Sequence, residues 1–187
     1  MHCTHRIHPA PVAGALFAAL GLAGQAAGQV AGCGGQTGCI EVPTFIVRVT
    51  GFRPGVQGNA HTVTLTLQFR NKSPRPLVVG YLDKTGVATD DRGNRYTIAS
   101  GEVGGIGVVS SNSFDPRFIL QPGEAGEVNL QFVSAGAGGA GGTSWDIEIG
   151  IREIDKLSEK QYRLGKTHLL QFRGYRGGGP SPTPSRR

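Results

Sequence analysis

Apolar and polar residues alternate with a period of two through most of the chain after residue 40. The clearest case is His61 to Arg70, where the apolar positions are Val63, Leu65, Leu67 and Phe69. A half-buried antiparallel strand requires this alternation, because successive side chains point to opposite faces of the sheet. The segment from Trp145 to Arg152 repeats the pattern and predicts a long core strand, with Trp145 in the core.

Turn-forming sequences separate the other extended segments. NKSPRP contains two prolines, which cannot donate to a central ladder, and DDRGN contains residues that tolerate positive φ. QPGE, residues 121–124, has Pro then Gly at its centre, the preference of a type II turn. Further strands are predicted at 44–50, 77–82, 86–89, 95–99, 113–120, 127–133 and 161–172.

These segments indicate an all-β fold without a convincing helix. We expect an immunoglobulin-like antiparallel β-sandwich of seven to nine strands over residues 39–172, with a closed barrel as the alternative. Two glycine-rich stretches, residues 101–107 and 135–142, are predicted to be flexible loops. A repeat of fixed period is absent from the sequence, which argues against a solenoid or propeller.

The first 28 residues have the features of a secretory signal peptide. Arg6 lies in a polar start, and Val12 to Gly24 is an uncharged, largely apolar run of 13 residues. Such a run fits a signal peptide and is too short to cross a bilayer as a helix. We therefore expect export to the periplasm, cell envelope or medium, with residues 29–38 forming a glycine-rich flexible segment.

Two cysteines remain after such processing, and they support two exclusive hypotheses. Val30 to Cys33 resembles a lipobox, in which Cys33 becomes lipidated and the signal extends to residue 32; acyl chains then anchor the protein. Alternatively, Cys33 and Cys39 form a disulfide in an oxidising compartment. A thioether-linked Cys33 cannot also bond Cys39, so the sequence leaves both readings open.

The net charge of +6 does not mark a nucleic-acid-binding domain. Five of the 19 basic residues lie in the signal or beyond residue 172, which leaves 14 against 13 acidic residues in the folded region. A phosphate-binding face needs a clustered basic excess. Residues 173–187, rich in Arg, Gly, Pro and Ser, are expected to be a disordered tail.

Candidate catalytic and metal-binding residues are few. His61 and His168 are the histidines outside the signal, and neither lies in a hydrolase motif. Asp90, Asp91 and Asn94 offer oxygens to Ca²⁺, although DDRGN lacks the spacing of an EF-hand loop. Carboxylates near other turns, without readable pairing, are Asp83, Glu124 and Glu127. We expect no catalytic residues, no metal and no cofactor.

A family resemblance rests on five motifs. They are VPTFIVRVTG, VTLTLQFRNKSPRPL, DDRGNRY, FDPRFILQPGE and VNLQF. In this order they resemble small bacterial exported immunoglobulin-like β-sandwich domains of unknown function, often lipoproteins. The resemblance implies the fold over residues 39–172 and supplies no catalytic residues.

The function expected from the sequence is therefore non-enzymatic. We predict a cell-envelope or secreted accessory that binds a protein or envelope component through loops or sheet edges. It would touch a membrane only through a lipid on Cys33. The alternative is an extracellular hydrolase acting on cell-wall or other polymer.

Overall fold

The computed structural model describes residues 32–111, 113–137, 141–158 and 161–176. The predicted signal peptide and most of the predicted tail lie outside these residues. Eleven strands form within them and run in chain order as follows: β1 Cys39–Glu41, β2 Phe45–Gln57, β3 Ala60–Asn71, β4 Leu77–Leu82, β5 Val87–Asp90, β6 Arg95–Gly104, β7 Gly107–Val109, β8 Ile119–Leu120, β9 Ala125–Ala137, β10 Trp145–Lys156 and β11 Tyr162–Tyr175.

The strands form two facing layers. The first layer has the order β1-β2-β3-β9-β6. In the second layer β10 is central: β11 pairs with one of its edges, and β4 and β5 pair with its opposite edge. The β5–β6 pair connects the layers, and the β4–β7 pair is parallel whereas the other pairs are antiparallel. Aromatic rings meet between the layers: Phe45 on β2 lies 5.2 Å from His168 on β11, and Phe52 lies 5.1 Å from Trp145.

The core is built from the alternation read in the sequence. Val63, Leu65, Leu67 and Phe69 are fully buried, and so are Ile147 and Ile149 on the facing β10. Within the described residues no helix is long and apolar enough to cross a membrane. The predicted fold class, an all-β antiparallel sandwich, is confirmed.

The described residues form more strands than predicted because three very short strands are added to the longer ones. Eight of the eleven strands in the described residues have four or more residues, within the predicted seven to nine. The other three, β1, β7 and β8, have two or three residues. Such short pairings depend on neighbouring chain segments, and their own sequence carries little periodic signal.

The first predicted loop, residues 101–107, is largely strand, whereas the second, residues 135–142, is strand only at its start and residues 138–140 lie outside the described residues. Residues 101–104 belong to β6, which has an irregular register against β9 between Ile98 and Val103, and residues 135–137 extend β9. Glycine-rich sequence indicated a loop because Gly disfavours strands. Pairing with neighbouring strands overrides that preference here. Strand β11 likewise continues to Tyr175, past the expected boundary at residue 172.

The QPGE segment forms the predicted type II turn. The Glu124 N–H donates to the Gln121 carbonyl at 2.9 Å, and Gly123 has φ of +79°. That conformation is open to glycine at no steric cost. The turn therefore leads directly into β9, as its sequence indicated.

Candidate functional site

The carboxylate of Asp90 is the centre of the β5–β6 turn. Its Oδ1 accepts hydrogen bonds from the N–H groups of Arg92 at 3.0 Å and Asn94 at 2.8 Å. Its Oδ2 accepts from the Asn94 amide at 2.8 Å, the Tyr96 hydroxyl at 2.9 Å and the Gly142 N–H at 2.9 Å. Asp90 is 5% exposed. One buried carboxylate thus connects its own turn to the segment preceding β10.

The hydrogen bonds around Asp90 change the acidity of two groups. Burial by itself would raise the pKa of Asp90, but the hydrogen bonds from Asn94, Tyr96 and Arg92 outweigh burial and lower that pKa. Burial, followed by the hydrogen bond to Asp90, raises the pKa of Tyr96 to about 12. Asp90 is therefore held as a carboxylate and Tyr96 as a neutral donor.

Asp91 forms a second link to the same neighbouring segment. Its Oδ1 accepts from the Thr143 N–H at 2.9 Å and its Oδ2 from the Thr143 hydroxyl at 2.7 Å. A calcium ion at this turn would have to displace donors from both aspartates. Among the described residues no cluster of three or more His, Cys, Asp or Glu side chains could hold a metal ion.

A second polar cluster joins β10 and β11 to the start of β2. The Nε2 atom of His168 lies 2.8 Å from Oε1 of Glu153, and the Thr44 hydroxyl donates to the same oxygen at 2.5 Å. The side chains of His168 and Glu153 are 12% and 13% exposed. Glu153 thus accepts from the Thr44 hydroxyl and contacts the His168 ring through the same oxygen. A hydroxyl that donates to a basic group is also the arrangement of an activated nucleophile, so this cluster is the catalytic candidate among the described residues.

The remaining candidate groups lie apart from this cluster. His61 is the second residue of β3, and its N–H donates to the Ser134 hydroxyl at 3.0 Å. Glu124 accepts from the Gln121 N–H at 2.6 Å within the QPGE turn. Asp83 lies in the turn after β4, and Glu127 lies on β9. The structure does not bring these groups together.

Cys33 and Cys39 are joined by a disulfide. Their Cα atoms are 5.4 Å apart, and the six-residue separation closes a small glycine-rich loop. Residues 32–38, expected to be flexible, form two turns there, with the Gln36 N–H donating to the Cys33 carbonyl at 2.8 Å. The disulfide uses the Cys33 sulfur that lipidation would require.

Asn71 is a buried polar residue that the sequence analysis did not single out. It is fully buried, and its Nδ2 donates to the carbonyls of Arg75 at 2.7 Å and Leu120 at 3.0 Å. Its Oδ1 accepts from the N–H and hydroxyl of Ser73. Asn and Ser followed by prolines form a sequence typical of turns. The NKSPRP segment therefore has a structural role.

Strand β11 has an unpaired edge, which we call the β11 edge. Within the described chain β11 pairs only with β10. Two bulges interrupt it, one between the Thr167 and Leu164 pairings and one between Phe172 and Tyr175, where Gly174 has φ of +57°. The regular part between them is Thr167 to Phe172. Leu169 in its middle is 58% exposed.

The other long edge is protected. Beyond its pairing with β1, strand β2 carries Arg53 and Pro54, and a register irregularity lies between Val49 and Gly51. Proline, charge and bulges each prevent a further strand from adding to a sheet. Of the two long strand edges, β11 is therefore the better suited to accept a partner.

Comparisons with solved structures give distant structural likenesses, among them the following two. No protein-family model matches the chain, and no curated protein matches it. An uncharacterised β-sandwich protein from Clostridium difficile 630 is 9% identical, with 73% of this chain and 91% of that chain covered and a TM-score of 0.32. The ASH/PapD-like domain 7 of human CEP192 is also 9% identical, with coverage of 74% and 92% and a TM-score of 0.34.

Proposed function

We propose that the protein is an exported, non-enzymatic β-sandwich that acts as a binding or assembly accessory of the cell envelope or the secreted fraction. The observation that carries this proposal is the use of the candidate chemical groups by the fold itself. Asp90, Asp91 and Glu153 direct their oxygens at donors from neighbouring segments. Meanwhile the β11 edge offers main-chain groups and an exposed leucine to a partner.

Export is part of the proposal and rests on the N-terminal sequence. A disulfide between Cys33 and Cys39 supports it, because such bonds persist in oxidising compartments. Intact mass of the protein from envelope and soluble fractions tests this directly. We expect a chain that starts near Gln29 and lacks two hydrogens; recovery of the unprocessed chain in the cytoplasm would contradict export.

The same measurement separates the disulfide from a lipid anchor. Cys33→Ser removes both, whereas Cys39→Ser removes the disulfide and leaves Cys33 for lipidation. If the protein is a lipoprotein, the Cys39→Ser variant keeps the acyl mass and stays with membranes. If it is disulfide-linked, both variants lose the two-hydrogen mass difference and neither carries acyl chains.

One observation favours the alternative, an extracellular hydrolase. Glu153 and His168 are two partly buried titratable groups in direct contact, which is a feature of many catalytic sites. Hydrolysis of purified cell-wall polymer by the protein, and its loss in Glu153→Gln with unchanged folding, would establish this alternative. We expect no activity in either protein, with a known wall hydrolase as the positive control.

A further inference from the structure

We propose that the β11 edge pairs with the β11 edge of a second copy of this chain, which gives a two-fold symmetric dimer with a sheet continuous across both copies. The inference rests on the proposed binding role and names a partner for the edge. It concerns the six residues between the two bulges, Thr167 to Phe172, of which Thr167 to Gln171 pair with the second copy.

The regular segment has the composition of a strand that pairs with another chain. Its sequence is THLLQF, with no Asp, Glu, Lys, Arg or Pro. Exposed edges with such sequences recruit further strands, because their N–H and C=O groups lack partners. Lys166 and Arg173 lie immediately outside the segment, and Arg173 contacts Asp146 at 3.3 Å. Charges thus limit the pairing to the segment between them.

The side chains of the segment are divided between the two faces of the sheet. Leu170 is fully buried, Phe172 is 3% exposed and His168 contacts Phe45, so these three face the core. Thr167, Leu169 and Gln171 are exposed on the outer face. On that face Leu169 lies opposite Gly150 of β10, and the glycine has no side chain that could cover the leucine.

A two-fold axis through Leu169 gives a self-complementary pairing. Antiparallel partners directly opposite each other share a face of the sheet, with Cβ atoms about 4.5–5.5 Å apart. Leu169 then lies against the partner's Leu169, and Thr167 lies against the partner's Gln171. The leucines cover each other and the polar pair can form a hydrogen bond. A second copy fits this edge because a strand of this sequence complements itself in an isologous arrangement.

Sedimentation of the purified full chain over a wide concentration range tests the dimer. We expect a reversible monomer–dimer equilibrium. Leu169→Lys places two ammonium groups on the axis and should weaken dimerisation at least about tenfold. Leu157→Lys is the matched control, because Leu157 is also 58% exposed and lies outside the segment; it should leave the equilibrium unchanged. At concentrations where both variants are monomeric, the midpoint of urea unfolding should be the same in both.

Cysteine cross-linking tests the register. Leu169→Cys should give a covalent dimer linked through position 169, whereas Thr167→Cys should not link to itself because it faces the partner's Gln171. A monomer at every concentration, an unchanged equilibrium in Leu169→Lys, or self-linkage of Thr167→Cys would overturn the proposal. None of these results bears on export or on wall hydrolysis, so the proposed function fails or stands by its own experiments.

Discussion

Replacing Asp90 by Asn is the sharpest test of how the β5–β6 turn is held. The substitution keeps the size of the side chain but turns one oxygen into an amide nitrogen. If Oδ2 is replaced, the Asn94 amide, the Tyr96 hydroxyl and the Gly142 N–H all lose their acceptor. The new amide would point its own hydrogens at these three donors.

The expected cost follows from the number and burial of these bonds. A hydrogen bond to a charged group contributes about 1.5–3 kcal/mol, and a buried donor without a partner costs a similar amount. Three such bonds share one acceptor, so their effects are not additive. We expect the free energy of unfolding to fall by about 3–5 kcal/mol, a large part of the roughly 5–15 kcal/mol typical of a domain.

Urea unfolding followed by tryptophan fluorescence measures this change. The chain contains a single tryptophan, Trp145, and its Cα position pairs with Asp90 across β10 and β5. Asp91→Asn is the control, because Asp91 is exposed and should show a much smaller change. A loss below about 1 kcal/mol in Asp90→Asn would refute the assignment of Asp90 as the buried acceptor of the turn.

The pH dependence gives the same prediction a second readout. The folded pKa of Asp90 is lowered, so its contribution to stability is present above the unfolded pKa of about 3.9. That contribution is lost as the pH falls through the folded pKa. The difference in unfolding free energy between wild type and Asp90→Asn should therefore narrow below about pH 4. A difference that stays constant there would contradict the lowered pKa.

Three further predictions concern the core, a strained turn and the disulfide. Phe132→Ala should cost about 3–5 kcal/mol in urea unfolding, because Phe132 is fully buried between the sheets; a cost under 1 kcal/mol would mean a loosely packed core. Lys84 has φ of 62°, so Lys84→Gly should raise the melting temperature by relieving about 1 kcal/mol of strain, and a lower value would contradict that conformation. The disulfide joins cysteines six residues apart, so reducing it should destabilise the domain by about 2 kcal/mol, which calorimetry measures. The stability of a Cys33→Ser variant should not respond to reductant.

The order of strands along the chain was largely predictable from the sequence. Alternation placed β3 and β10 within a few residues of their ends, since half-buried strands need one apolar face. The QPGE turn was predicted from Pro and Gly alone, because type II geometry restricts its central residues. These features depend on neighbours along the chain, so a single sequence contains them.

The partners of buried polar groups were decided by the tertiary structure. Asp90 and Gly142 are 52 residues apart in sequence, and Thr44 and Glu153 are 109 apart. Nothing in a local pattern shows that these groups meet. The glycine-rich residues 101–104 became strand for the same reason, because pairing with β9 outweighs the low strand preference of glycine.

The sequence by itself determined the all-β class, the turn positions and the core-facing residues, because periodicity and turn chemistry are local properties. The tertiary structure decided which strands lie at an edge and which carboxylates are enclosed by donors. Both depend on how distant strands pair, and strand pairing is a non-local choice. The β11 edge is the clearest example: its sequence reads as an ordinary final strand, and only the sheet order leaves that strand without a second neighbour.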